Sequence, residues 1–330
     1  MENEINKIIS GALFTEDKLT DDISPSVTIK GKIIATPGNF ICISGLPKSR
    51  KTSFCFGAIA SFFTGYPVYD IQLIPDNKPV LIIDTESSPY SFSKQIKNLK
   101  RKIGVDRIPD NLFSYLLRKS DPEQIIKIIE ETINLHNPGF VIIDNLTEMV
   151  INSIDPEEAH NFVKFLKRIT EEKNITIIGL IHLSKSNNFT LGWLGSFTDR
   201  ASQSTLKVIK DPETDISTLE AVIMRDDAHF EPVSIQFNND LMDYEIVNNL
   251  PKESKPGKID LLTAPRQIVV NAVEIMFSAN QEQKYEELVN SIKQTLNVGT
   301  NKAKTLVTFL LNQGYIIKSN NGYKINPLNL

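Results

Sequence analysis

The chain has 330 residues, 41% of them hydrophobic, and a formal net charge of −4, a length that predicts two domains. No apolar run approaches the roughly 18 residues of a membrane span, and the acidic start MENEINKIISGAL carries no long apolar stretch, so neither a membrane protein nor a secretory leader is expected. Cys42 and Cys55 sit in apolar stretches and no Cys/His grouping has zinc spacing, which predicts buried thiols in a reducing, cytoplasmic compartment.

Residues 1–38 form an N-terminal extension. Ile5, Ile8, Ile9 and Leu13 recur there at helical spacing, so a helix over Glu2 to Leu13 is expected to pack on its own core or on a neighbouring subunit.

From 39 to 247, short apolar runs alternate with helix-period segments, the pattern of an α/β domain with a mainly parallel sheet. The first predicted strand, Phe40 to Ser44, runs into Gly45-Leu46-Pro47-Lys48-Ser49-Arg50-Lys51-Thr52-Ser53, and a helix over Lys51 to Phe63 follows. This is the Walker A pattern G-x-x-x-x-G-K-[ST], with Arg50 in place of its second glycine. Such a loop wraps backbone N–H groups around the β-phosphate of ATP at the positive end of a helix. Lys51 is expected to reach the β- and γ-phosphates, and Thr52 to bind Mg2+. If position 50 needs a positive φ, a non-glycine residue costs about 1 kcal/mol or more. Lys48 and Arg50 would add two charges beside the phosphates.

The next strand, Val80 to Asp84, ends in Asp84-Thr85-Glu86 at the edge where ligands bind in open α/β sheets. A helix over Tyr90 to Ile103, a strand over Leu112 to Leu117 and a helix over Pro122 to Leu135 lead to Phe140–Asp144, a Walker B form. Asp144 is expected to hold the magnesium through water. Asp155 can cap a helix over Pro156 to Glu172, with Glu157 and Glu158 at its positive end. A strand over Ile175 to Ile181 precedes His182 and the polar loop LSKSNNFTLGWLG, and a short helix follows. Runs at Ser204 to Ile209, Ser217 to Arg225 and Val233 to Phe237 read as an antiparallel extension of the sheet.

Residues 248–263 are polar and Pro/Gly-bearing, hence a linker. Residues 264–330 show three helical segments and two short strands around Ser319-Asn320-Asn321-Gly322, the outline of a winged helix. Thr300 would cap the third helix, which carries Lys302 and Lys304 in its first turn, and the wing carries Lys318 and Lys324. Recognition helices contact DNA through their N-terminal residues. With no arginine on this helix, backbone contact is favoured over base readout, and a protein-binding winged helix is the competing reading. From Pro251 onward 10 Lys/Arg stand against 6 Asp/Glu, a net +4 that leaves −8 for the first 250 residues. An acidic body with a mildly basic tail fits an enzyme with an appended nucleic-acid module.

Walker A, then Ile-Asp-Thr-Glu on the next strand, then Walker B: over roughly Ile34 to Phe237 this order resembles the RecA-like superfamily. Within it the chain looks most like the RepA-type hexameric helicase ATPases of plasmids, phages and mobile elements, some of which have P-loops similar to GLPKSRKTSF. The resemblance implies that Glu86 activates the attacking water and that His182 senses the γ-phosphate. It implies a DNA-facing loop over Leu183 to Leu194, holding Lys185 and Trp193, where the tryptophan stacks a base or packs on a neighbour. It also implies a trans-acting Lys or Arg in a homo-oligomer, up to a hexamer. Arg225 is the candidate, with Lys207 and Arg200 behind it. Family members often carry a Lys two residues before this Arg, and here that position is Ile223. The implied partners are single-stranded DNA and replication or transposition proteins. Two functions stay open: a DNA-stimulated motor, and a non-motor ATP switch that loads a helicase or regulates transposition or transcription. A regulator that binds ATP without turning it over fits less well, because Glu86 is present.

Overall fold

Strands of five to seven residues, apolar at nearly every position, demand cover on both faces, and the computed structural model builds the middle of its central sheet from them. It describes residues 2–16, 19, 24–74, 76–183, 192–247, 261, 266–277, 280–296, 298–319 and 322–326. The chain divides into two units, Met1–Asn248 and Asn249–Leu330.

The first unit opens with α1 (Glu2–Ala12), β1 (Val27–Ile29), β2 (Lys32–Ala35), β3 (Phe40–Gly45), α2 (Lys51–Thr64) and β4 (Ile71–Leu73). It continues with β5 (Val80–Asp84), α3 (Pro89–Ile103), β6 (Leu112–Leu116), α4 (Pro122–His136) and β7 (Phe140–Asp144). After a 3-10 turn, Leu146–Met149, come α5 (Pro156–Lys173), β8 (Thr176–His182) and α6 (Gly192–Ala201). The unit closes with β9 (Ser204–Lys210), β10 (Ser217–Met224), β11 (Val233–Asn238) and β12 (Asp243–Ile246).

Nine strands pair in the order β12-β11-β10-β9-β3-β8-β7-β5-β6. β9 through β6 in that order run parallel, and β10, β11 and β12 extend the sheet antiparallel. Side chains alternate between two cores. Ile41, Ile43, Val80 and Ile82 join Phe54, Ile59 and Phe92 of α2 and α3, while Phe40, Cys42, Leu81 and Ile83 join Ile129, Phe162 and Leu166 of α4 and α5. Each such aliphatic or aromatic side chain, fully buried, contributes about 1.5–3 kcal/mol, which fixes the register of β3 and β5. Cys42 and Cys55 are both free and buried.

The helix starts follow local chemistry. Ser88 accepts the Ser91 N–H at the head of α3 at 3.2 Å, and Asp155 accepts those of Glu157 and Glu158 at 2.9 and 3.0 Å at the head of α5.

In this unit four strands were not anticipated: β1, β2, β4 and β12 are only three or four residues long, too short to establish a period. β1, β2 and β4 form a separate antiparallel sheet. Val27, Ile29 and Ile34 thereby enter the α2 core, so the stretch read as an extension supplies part of the domain's own interior. Among the described residues, no helix is long and apolar enough to cross a membrane.

The second unit contains α7 (Arg266–Phe277), β13 (Glu282–Gln283), α8 (Tyr285–Leu296), α9 (Thr300–Asn312), β14 (Ile316–Ser319) and β15 (Gly322–Ile325). The strands pair antiparallel in the order β13-β15-β14, over a core that includes Val273, Leu288, Ile292, Leu306 and Leu310. Gln283 is buried and bonded at both ends of its amide, donating to the Met276 carbonyl at 2.6 Å and accepting from Ser291 at 2.8 Å. The cap of α9 is Gly299, not Thr300: Gly299 is extended at φ −72°, ψ 161°, and Thr300 is already helical. Most of the expected linker lies outside the described residues, as do Asn320 and Asn321 of the expected turn.

Candidate nucleotide-binding site

Parallel registry brings four strand ends to one edge. Gly45 of β3 pairs with His182 of β8, and Asp84 of β5 pairs with Asp144 of β7. One glycine lets the turn after β7 close on this edge. A Cβ at Gly179, opposite Ile143, would lie 2.5 Å from the Leu146 side chain.

The loop after β3 turns through two left-handed residues, Lys48 at φ 65° and Arg50 at φ 77°. The missing Walker glycine is therefore a position that does demand positive φ. Arg50 meets that demand with outside help. Its guanidinium pairs with the Asp215 carboxylate and carbonyl, and lies 4.9 Å from the centre of the Tyr244 ring. The Arg50 guanidinium, expected beside the phosphates, is here turned to Asp215 between β9 and β10. Arg50→Gly should then relieve strain while losing the partly exposed Asp215 ion pair, a contribution of about 0–1 kcal/mol, and the Tyr244 contact. ATP affinity measured by isothermal titration should stay within about threefold, and a loss beyond tenfold would put Arg50 on the phosphates.

Lys51 begins α2 and is buried. Its ammonium donates to the Gly45 carbonyl at 2.9 Å, to the Leu46 carbonyl at 3.3 Å and to His182 Nδ1 at 3.1 Å. Burial pushes its pKa down, against the pull of Asp144 and Glu86. His182 in turn meets Glu86 Oε1 through Nε2 at 2.7 Å. An ammonium only donates and a carboxylate only accepts, so the neutral imidazole with its proton on Nε2 completes both bonds. Glu86 also takes a 2.7 Å bond from the Asn145 amide. Its pKa is held below the usual carboxylate range, chiefly by the His182 bond and then by Asn145, against burial. Asp84 does not face this cluster's chemistry. Its carboxylate accepts the N–H groups of Glu86 and Ser87 at 2.9 and 2.6 Å, which shapes the turn that carries Glu86.

Thr52 donates to Asp144 at 2.6 Å. Burial pushes the Asp144 pKa up to about 6, although the Thr52 bond opposes it. A hydroxyl and a buried carboxylate make a hard oxygen donor set of the kind Mg2+ takes, and a bound cation would reverse the pKa shift. Helix N-termini leave backbone N–H groups for an anion, and the buried Lys51 ammonium has the sign and position to share it. The residues present therefore fit ATP with magnesium. A cavity of about 470 Å³ opens beside the loop, lined by Leu46, Lys48, Leu183, Lys207 and Lys210 among others.

Other candidates lie apart from this group. Arg225 is bonded in its own chain, to the carbonyls of Ser202 at 2.9 Å and of Arg200, where it closes the end of α6. Trp193 belongs to the first turn of α6, not to a loop as expected. It is 46% exposed and stacks on Phe197 one turn on, at 5.8 Å. Lys185 lies outside the described residues. In the second unit Lys302, Lys304 and Lys318 are all exposed. Asn145 escaped the sequence reading, and its one signal there was its place directly after the Walker B aspartate.

Strand order and site together define a RecA-like P-loop ATPase. The chain belongs to the AAA domain family AAA_25, which matches residues 15–188. Among solved structures it is similar to a KaiC-like protein of the hyperthermophilic archaeon Pyrococcus horikoshii OT3, at 12% identity and a TM-score of 0.45, over 64% of this chain and 90% of that one. No curated protein matches.

Proposed function

We propose that the protein hydrolyses ATP with Mg2+ and couples turnover to single-stranded DNA, as a RepA-like replicative helicase ATPase of a mobile element working as a homo-oligomer. The observation that carries the hydrolytic part is the continuous bonded chain Lys51–His182–Glu86–Asn145. It joins the group that holds the γ-phosphate to the group that activates water. Lys51, the loop from Gly45 to Ser53, Thr52 and Asp144 bind the nucleotide and metal. When bound, Mg2+ neutralises charge developing on the transferred phosphoryl group. Glu86 accepts a proton from the attacking water.

The DNA part is supported by Trp193, half-exposed at the head of α6 and close in the sequence to Lys185. It is also supported by the second unit, read as a winged helix at residues 264–330 with Lys302, Lys304 and Lys318 turned to solvent. The occupied state of Arg225 favours a second reading, the non-motor ATP switch, because a trans-acting finger must leave the Arg200 and Ser202 carbonyls before it can reach a neighbour.

Fluorescence anisotropy of a labelled single-stranded oligonucleotide tests the DNA part. With a non-hydrolysable ATP analogue and Mg2+, binding is expected to be tighter than with ADP. Trp193→Ala should weaken it by about 1–3 kcal/mol if the indole stacks on a base. No binding in either nucleotide state would remove the motor reading.

A further inference from the structure

Asn145 is wholly buried beside the Walker B aspartate, and each of its polar groups is assigned. Its backbone N–H donates to Thr85 Oγ1 at 2.9 Å. Its side-chain oxygen accepts the Thr147 N–H at 3.0 Å, capping the 3-10 turn Leu146–Met149. A backbone N–H can only donate, so the amide cannot be flipped, and the NH2 end must face Glu86. It does so at 2.7 Å, on Oε1, the oxygen that His182 also holds at 2.7 Å. Two donors from two different strand ends thus converge on one carboxylate oxygen. The other, Oε2, takes no hydrogen bond from a described residue.

We propose that Asn145 is a positioning residue for hydrolysis: with His182 it clamps Glu86 Oε1, so that Oε2 is the oxygen that takes the proton from water. This rests on Glu86 being the base. The clamp ties the base to the residue following the metal-binding Asp144, so base and metal share one rigid turn. Its cost is basicity, since two donors stabilise the ionised form. Its gain is a carboxylate held in one rotamer before the water arrives.

The test is a double-mutant cycle of steady-state ATP hydrolysis in the full chain. Asn145→Ser keeps a capping oxygen for Thr147, but its side chain is too short to reach Glu86. It is expected to lower kcat by about 10- to 100-fold, a positioning-sized loss, with KM for ATP nearly unchanged. In the Glu86→Gln background the same substitution should cost nothing further. Asn145→Asp also caps the turn but sets a carboxylate against Oε1, and is expected to be slower than Asn145→Ser. Equal losses in both backgrounds would overturn the proposal, as would a wild-type rate for Asn145→Ser or an Asn145→Asp variant faster than it. If Glu86→Gln by itself left the rate unchanged, the base assignment would fall, an outcome distinct from additivity in the cycle.

Discussion

Glu86→Gln is expected to reduce ATP turnover by about 10²- to 10⁴-fold, the range of a lost general base, while ATP still binds. The carboxylate is ionised at neutral pH, and the His182 bond, foremost, and the Asn145 bond hold its pKa below the usual carboxylate range. Glutamine has the same shape, and its amide oxygen can accept both bonds, so the local geometry survives and only proton acceptance is lost. Lys51, Thr52 and Asp144 are untouched, so titration calorimetry should return an ATP affinity close to wild type. Steady-state phosphate release gives the other half of the comparison. A variant that turns over within tenfold of wild type would show that water is activated elsewhere.

Asp144→Asn should have opposite effects on function and on stability. The native pKa of about 6 lies above the ordinary 3.8, so between those values the fold keeps a proton that the unfolded chain has shed. Stability therefore falls as pH rises from about 4 to about 6, and at neutral pH the ionised carboxylate costs about 3 kcal/mol at 1.36 kcal/mol per unit. Asparagine removes that cost and still accepts from Thr52. Without metal or nucleotide at neutral pH, the variant should melt several degrees higher than wild type, and the gain should fade below about pH 4. It should also lose hydrolysis by about 10²-fold or more, because the metal's several kcal/mol of transition-state stabilisation goes with its ligand. ATP and Mg2+ should raise the melting temperature of wild type more than that of the variant. A variant that melts below wild type in the absence of both ligands would mean that the carboxylate is needed by the fold itself.

Most of the large sheet was legible because its strands are buried on both faces. Phe40–Gly45, Val80–Asp84 and Phe140–Asp144 are apolar almost without a break, and each ends at a chemically marked residue. Loop spacing alone placed Lys51 and Thr52 at the start of α2, since a strand–loop–helix turn is a local object. What failed to show was non-local. That Arg50 can stand where glycine usually does depends on Asp215, 165 positions away. The direction of its side chain follows from that contact, not from the loop. Asn145 is a common turn residue in sequence, and only the pairing of β7 with β5 brings it to Glu86. Trp193 looked like part of a loop because the polar run before it gives no sign of where α6 begins. The helix starts at Gly192, one residue before it.

The most direct test is the steady-state rate of ATP hydrolysis with Mg2+, with and without single-stranded DNA, using Lys51→Ala and Glu86→Gln as controls. A metal-dependent rate that rises strongly on adding DNA and is lost in both variants is expected. Hydrolysis indifferent to DNA would contradict the motor and leave an ATP switch, and hydrolysis that persists in both variants would contradict the site itself.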